Sequence, residues 1–184
     1  MKKIVVYCIK FLATYFLLYY GSYAIIGLSV KGGYYSGFIH DWFNYPAWLR
    51  SALLNTSKFV LDVFGYEGKI TEPFKVGIVA GRSVKVVYSC LGLAIYSFWI
   101  AFISANAGSL KKKLLFTLGG VAIIFLVNTA RIVLLVITAN RNKYSYFELN
   151  HHTFFNIVSY GIVFLMIYFF ARTDKKNDWN KSTA

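Results

Sequence analysis

The chain has 184 residues, of which 58% are hydrophobic and 20% aromatic, and its formal net charge is +13. A soluble domain of this size is expected to be about half apolar, so the composition favours an integral membrane protein. The positive charge does not indicate nucleic-acid binding, because Lys and Arg beside membrane spans fix topology and meet anionic lipid headgroups, and no compact soluble domain is left to carry a recognition surface.

The first apolar run, residues 4–30, directly follows two lysines at the N-terminus. A bilayer core about 30 Å thick needs roughly 20 apolar residues in a helix, so this run is long enough to cross it. It is too long for the apolar region of a cleaved signal peptide, and its sequence LLYY at 17–20 contains no small-residue cleavage site. We therefore predict a retained first span.

Residues 46–66 form a second helical pattern, which is amphipathic rather than continuously apolar. Pro46 suits the first turn of a helix. A polar stripe follows at helical spacing, made of Ser51, Asn55, Lys58 and Asp62. We expect an interfacial or re-entrant helix, because a span here would move the lysines at 111–113 to the outer face of the membrane.

A short β-hairpin is predicted between that helix and the next apolar run. Residues 74–79 and 82–88 are rich in β-branched side chains and partly alternate, and Ala80-Gly81 separates them at hairpin spacing. The hairpin leads the chain to Cys90 at the mouth of the next span. The other cysteine, Cys8, lies near the cytoplasmic start of the first span, and the two form no C-x-x-C pair.

Three further apolar runs follow, at residues 91–107, 114–139 and 154–171. Basic clusters stand at 2–3, 111–113 and 172–176. Placing all three clusters in the cytoplasm requires four spans, with both termini inside and the segment 31–89 outside.

The predicted fold is therefore an all-α transmembrane helical bundle with an external amphipathic helix and a short external β-hairpin. Residues 1–172 are expected to form one membrane-embedded domain, and residues 173–184 a disordered cytoplasmic tail.

Arg131 lies inside the run 114–139. A charge within a span costs at least about 2.5–3.5 kcal/mol on insertion scales, so a functional role is the first expectation. Snorkelling to the interface is the alternative. At about eight residues from the outer end, roughly 12 Å, the guanidinium is deep for pure snorkelling.

Four spans bring three reactive groups to one face of the membrane. Cys90 begins the second span, the span of Arg131 ends at that face, and His151 and His152 precede the last span. An imidazole can take the thiol proton and deliver it to a leaving amine, and a guanidinium can hold a developing oxyanion. This combination favours cysteine-based chemistry on a peptide, with no cofactor and no metal.

We expect His152 rather than His151 to be the base. His152, Asn156 and Tyr160 recur at helical spacing and form a polar stripe, which should face the protein interior because lipid cannot satisfy it. Asn156 would then fix the tautomer of His152. His151 lies on a less polar face with Ser159.

The motifs Cys90-Leu91-Gly92, Asn128-Thr129-Ala130-Arg131 and His151-His152 resemble the exosortase/archaeosortase family, whose signature is Cys, Arg and His on successive spans. The short chain looks most like exosortase F-type members. The chain departs from the family pattern in two places. Leu91 stands where Ser is frequent, and Asn156 stands where a small residue is common.

The resemblance implies a membrane protease or transpeptidase at the outer face of the bacterial inner membrane. Its partners would be exported proteins that carry a C-terminal motif, a transmembrane helix and a basic tail. It implies a Cys nucleophile, an Arg stabiliser and a His base, here Cys90, Arg131 and His152. The supporting residues would be His151, Asn128 and Asn156.

Two other functions remain open at this point. One is a non-enzymatic membrane scaffold or export accessory protein, in which Arg131 holds helices together through buried hydrogen bonds. The other is a haem or quinone protein with His151 or His152 as ligand, which needs a second axial ligand at matching depth. The remaining histidine, His40, lies in the external loop.

Overall fold

The computed structural model describes residues 2–30, 34–141 and 157–173, most of which are helical. The elements in chain order are α1 (Lys2–Ser29), α2 (Gly37–Trp42), α3 (Tyr45–Val63), β1 (Gly68–Thr71), β2 (Lys75–Ile78), β3 (Ser83–Lys85), a 3₁₀ turn (Tyr88–Leu91), α4 (Leu93–Ala105), α5 (Leu110–Arg141) and α6 (Ile157–Thr173).

Among the described residues, α1 and α5 are long and apolar enough to cross a membrane. The most apolar 18-residue window has a mean hydropathy of 1.6 in Ile4–Ser29 and of 2.4 in Leu110–Arg141. Helices α4 and α6 are apolar but shorter. The 13 residues of α4 extend only about 20 Å, less than the thickness of a bilayer core. The four-span arrangement therefore stays a prediction.

The helix bounds differ from the predicted spans in two places. The predicted span 91–107 is shortened to Leu93–Ala105, because Gly92 has a φ of 75° before α4 and Asn106 is extended after it. The predicted span 114–139 is lengthened to Leu110–Arg141, so the lysines at 111–113 belong to the first turn of α5 and not to a loop. Of the predicted span 154–171, residues 154–156 lie outside the described part.

Helices α4, α5 and α6 pack through aromatic rings and one close helix approach. The indole Nε1 of Trp99 donates a hydrogen bond to the Phe116 carbonyl at 3.0 Å. A Cβ added at Gly120 would overlap that indole, so glycine is required where α5 meets α4. Phe170 of α6 packs edge-on against Phe116 at 5.1 Å between ring centroids. Helix α1 joins α4 in the same manner, through aromatic contacts.

Helix α3 confirms the predicted amphipathic pattern. The helix face that carries Leu53 and Leu61, both fully enclosed, is buried and packs against α5 and the sheet. Ser51 and Asn55 of the polar stripe are exposed. The side chain of Asn44 caps its first turn by accepting from the Ala47 amide at 3.3 Å.

The predicted hairpin is confirmed as β2 and β3, which pair antiparallel with Val76 opposite Val84. The structure adds β1, which pairs with the other edge of β2 and places Gly68 opposite Ile78. Strand β1 was missed because its sequence, GKIT, is too short and too polar to show the alternation of a half-buried strand.

Two polar side chains attach this sheet to the helices. Asn140 of α5 accepts from the Arg82 amide at 2.6 Å and donates to the Arg82 carbonyl at 3.1 Å. Asp62 of α3 accepts from the Gly68 amide at 2.7 Å and pairs with Lys58 at 2.7 Å. The Lys58 hydrogen bond, followed by the Gly68 amide, holds the pKa of Asp62 below its usual range. The sheet is thereby fixed over the C-terminal end of α5.

Candidate active site

Cys90 lies in the 3₁₀ turn that connects the sheet to α4. Its amide donates to the Val87 carbonyl at 2.9 Å, and its side chain is partly buried against the core cluster that includes Leu91. Gly92 follows with a φ of 75°, a left-handed conformation that glycine adopts without steric cost. The sequence Cys-Leu-Gly therefore forms a sharp turn that holds the thiol just ahead of the first turn of α4.

Asn128 binds this turn from α5. Its side-chain Nδ2 donates to the Leu91 carbonyl at 2.7 Å, and the residue is only 7% exposed. A Cβ placed on Gly92 would lie 3.2 Å from the same nitrogen, so the approach is close. A buried carbonyl left without a donor costs about 1–3 kcal/mol, so this bond stabilises the attachment of the cysteine turn to α5.

Arg131 lies one turn further along α5 on the side that carries Asn128. Residues three apart are neighbours on a helix face, and their axial separation is about 4.5 Å. Arg131 is partly buried, and the next residues, Ile132 and Val133, belong to the same buried cluster as Leu91. The fold therefore brings the cysteine turn against the segment of α5 that carries Asn128 and Arg131.

Cys90 does not lie at the C-terminal end of α5, because its turn is bonded to Asn128 in the middle of that helix. About 20 Å of helix, from Asn128 to Arg141, continues past the level of the cysteine turn. Helix α3 and the sheet pack on this part of α5, at Val133 and Val136 and through the Asn140 bonds to Arg82. The cysteine turn is therefore level with Asn128, whereas the sheet and α3 pack on the residues of α5 that follow Asn128.

The predicted histidines, His151 and His152, and the predicted support residue Asn156 all lie outside the described residues. The described helix that follows them, α6, reaches the cysteine turn through Ser159, which shares a narrow cleft with Gly92 and Asn128.

The orientation predicted for Tyr160 is wrong, because this side chain is 56% exposed. A tyrosine ring is mostly apolar, so it is tolerated on an outer face when its hydroxyl can reach a polar layer. The polar stripe of His152, Asn156 and Tyr160, which favoured His152 as the base, therefore does not face the interior at Tyr160. The choice between His151 and His152 stays a prediction.

Sequence reasoning missed Arg50. Its guanidinium carbon lies 3.3 Å from the ring centroid of Phe74 and 4.3 Å from that of Tyr88, and the residue is only 7% exposed. Tyr88 belongs to the same 3₁₀ turn as Cys90. A signal was present: Arg50 precedes Leu53, Leu54, Ser57 and Leu61 at helical spacing, which places a charge on the buried face of α3.

No group of three or more His, Cys, Asp or Glu side chains that could hold a metal ion occurs within residues 2–30, 34–141 and 157–173. His40 interacts through Nδ1 with the Ser29 carbonyl at 3.1 Å. Asn128 bonds to the cysteine turn through the Leu91 carbonyl, Arg50 contacts the same turn through the Tyr88 ring, and Arg131 follows Asn128 by three residues on α5.

The family profile of transmembrane exosortases (Exosortase_EpsH) matches residues 7–169. This range includes Cys90, Asn128, Arg131 and both predicted histidines. The match does not separate F-type members from the rest of that family, so the F-type assignment stays a prediction. No curated protein and no solved structure matches the chain.

Proposed function

The chain belongs to the transmembrane exosortase family, and from this we propose that it is a cysteine peptidase or transpeptidase that cleaves C-terminal sorting signals of exported proteins. Family membership makes it a membrane protein of the transpeptidase class. Our proposal adds the reaction, a multi-pass arrangement in the bacterial inner membrane, a catalytic site at the outer face, and residues 1–172 as one membrane-embedded domain.

The observation that carries the proposal is the hydrogen bond from Asn128 to the Leu91 carbonyl. It ties the turn that bears the only described cysteine outside α1 to the helix that bears the intramembrane arginine. Such a tie holds a nucleophile and an oxyanion-stabilising group in one geometry, which is the main requirement for acyl transfer.

In the proposed reaction, the Cys90 sulfur attacks the carbonyl carbon of the scissile peptide bond while His152 takes the thiol proton. Arg131 donates hydrogen bonds to the oxyanion that forms. Collapse of this intermediate breaks the C–N bond, and His152 returns the proton to the leaving amine of the anchor peptide. A thioester remains on Cys90, and either an acceptor amine or water resolves it.

The first experiment compares Cys90→Ala with the matched control Cys8→Ala in cells of the source organism. We expect uncleaved exported proteins that end in a motif, an apolar helix and a basic tail to accumulate in membranes of the Cys90→Ala strain alone, as measured by quantitative mass spectrometry. Normal processing in that strain would leave the scaffold function as the better explanation. The mass of the new C-terminus separates hydrolysis from transfer to an amine.

A second experiment tests the membrane face. A cysteine at Asn55, on the exposed polar stripe of α3, is introduced into a chain that lacks both native cysteines. We expect a membrane-impermeant maleimide to label it in intact spheroplasts. Labelling that requires permeabilisation would place α3 on the cytoplasmic side and reject the proposed orientation.

A further inference from the structure

Arg50 is a buried cation that the proposed reaction does not use. Its side chain enters the interior from α3, and its guanidinium stacks between the rings of Phe74 and Tyr88. Within the part of the chain that the structure describes, the guanidinium forms no hydrogen bond and no ion pair; the ion pair found there is Lys58 with Asp62.

The two rings satisfy only part of what a buried guanidinium requires. Aromatic rings attract the cation over its two faces, but the N–H donors of arginine point outward in the guanidinium plane, where a stacked ring cannot accept them. Arg50 is 7% exposed, so water replaces little of the missing hydrogen bonding. An anion placed at the edge of the guanidinium would satisfy these donors.

The described acidic side chains do not supply that anion. Glu72 is close in sequence to Phe74 but makes no ion pair with Arg50, and the same holds for Asp41 and Glu67. The guanidinium nitrogens are not fully enclosed, because none is among the enclosed side-chain atoms without a hydrogen bond, which belong to Ser29, Ser57 and Tyr96.

We propose that Arg50, held between Phe74 and Tyr88, binds a carboxylate of the peptide substrate beside Cys90. This inference rests on the proposed function. Tyr88 and Cys90 are two residues apart in one 3₁₀ turn, so a ligand at Arg50 lies against the turn that carries the thiol. A planar guanidinium binds a carboxylate through two parallel hydrogen bonds, which favours an acidic side chain over a neutral one.

A lipid phosphate is the competing anion. It is less suited to this position because Arg50 lies on the buried face of α3, under the sheet and the cysteine turn, whereas a lipid headgroup meets the outer surface of an interfacial helix.

The test measures alkylation of Cys90 by two maleimides in the full chain carrying Cys8→Ser, reconstituted in nanodiscs of phosphatidylcholine. One reagent, 3-maleimidopropionate, carries a carboxylate, and the other, N-ethylmaleimide, is neutral. We expect the ratio of their second-order rates to fall about tenfold in Arg50→Gln, the loss that one charge-assisted contact corresponds to. Arg82→Gln, which removes an exposed arginine of the hairpin turn, is the matched control and should leave the ratio unchanged.

Four outcomes would overturn the proposal. The first is an equal ratio in Arg50→Gln and the parent, with N-ethylmaleimide reporting that Cys90 stays accessible. The second is a parent Cys90 that neither reagent modifies. The third is a rate ratio of 3-maleimidopropionate to N-ethylmaleimide that rises about tenfold in Glu148→Gln. This result would mean that Arg50 binds Glu148, an acid of this chain outside the described residues, and not the substrate. The fourth is a ratio that collapses when phosphatidylglycerol is added, which would assign the site to lipid.

The results that would reject the carboxylate site differ from those that would reject the proposed function. Normal processing by the Cys90→Ala strain would reject the enzyme whatever the alkylation ratio is. An unchanged ratio, together with lost processing in Cys90→Ala, would reject only the carboxylate site.

Discussion

The part of the molecule built from α3 and the sheet is held together differently from the part built from α1, α4 and α6. In the first, polar bonds such as Asn140 to Arg82 and Asp62 to Gly68 attach the sheet to the helices in addition to a buried apolar core. In the second, close packing holds the helices together: the Trp99 indole packs against Gly120, where a side chain would overlap it, and aromatic rings fill the remaining space. Lipid provides no hydrophobic drive for helix association, so close packing must replace it.

Cys90 lies where these two parts meet. The sheet delivers the chain to the cysteine turn, α4 continues from it, and Asn128 of α5 holds it by one buried hydrogen bond. Helix α5 belongs to both parts, because Phe116 and Gly120 in its first half contact Trp99 of α4, and its last half packs against α3 and the sheet. The difference teaches that the candidate site depends on both kinds of stabilisation, and the predictions below separate them.

The largest expected effect is on the predicted base. His152→Ala should lower processing about 10²–10⁴-fold, because general acid–base catalysis contributes that much. His151→Ala is the matched control and should retain most activity. Both are measured by cleavage of a tagged sorting-signal substrate in membranes. Loss of activity in His151→Ala with normal cleavage by His152→Ala would exchange the two roles.

Arg131→Lys should lower processing about 10²–10³-fold although the charge is kept, since an ammonium lacks the planar set of donors that holds an oxyanion. The same cleavage assay measures it, with membrane insertion checked by carbonate extraction. Turnover close to that of the parent would show that Arg131 supplies charge alone or only packs helices.

Asn128→Leu tests the junction itself. It leaves the Leu91 carbonyl without its donor, which costs about 1–3 kcal/mol, and lets the thiol shift, which can cost up to about 10²-fold in rate. Thr129→Val is the matched control, because the Thr129 hydroxyl bonds only to the Phe125 carbonyl of its own helix at 3.0 Å. Equal activity of the two variants would remove the junction from the catalytic argument.

Gly120→Val tests the packing of the membrane part. Its side chain would overlap the Trp99 indole and should destabilise the protein by about 1–3 kcal/mol. Gly119→Val is the control, since a Cβ there meets nothing within 4 Å. Thermal unfolding in detergent, followed by light scattering, compares the two. A smaller loss in Gly120→Val than in Gly119→Val would show that α4 and α5 are not in close contact.

The smallest effect is expected at the α3–sheet attachment. The pKa of Asp62 is lowered in the folded chain, first by Lys58 and then by the Gly68 amide, so its contribution to stability is present above its ordinary value of 3.8 and is lost as pH falls through the folded value. Asp62→Asn should therefore lower the unfolding temperature at pH 7, and the difference from the parent should shrink below about pH 4. Asp41→Asn, on α2, is the control. A pH-independent difference would assign the effect to packing.

Local sequence patterns predicted much of the architecture. The apolar runs, the amphipathic face of α3 and the hairpin of β2 and β3 are all features of neighbouring residues, and the structure confirms the last two as predicted. The match to transmembrane exosortases confirms the family that the Cys, Arg and His motifs indicated. The roles assigned to Cys90, Arg131 and His152 stay predictions.

The sequence by itself determined the helical, membrane-embedded class, the strand pair ahead of Cys90 and the position of Arg131 within an apolar run, because composition and periodicity depend only on nearby positions. The tertiary structure alone decided the short length of α4, the third strand, the Asn128 bond to a residue 37 positions away and the enclosure of Arg50 between two rings. These features depend on which elements pack together and on how closely their backbones approach, and spacing along one chain determines neither. Gly92 and Gly120 permit such approaches, but the sequence does not show that Asn128 packs beside the first and Trp99 beside the second.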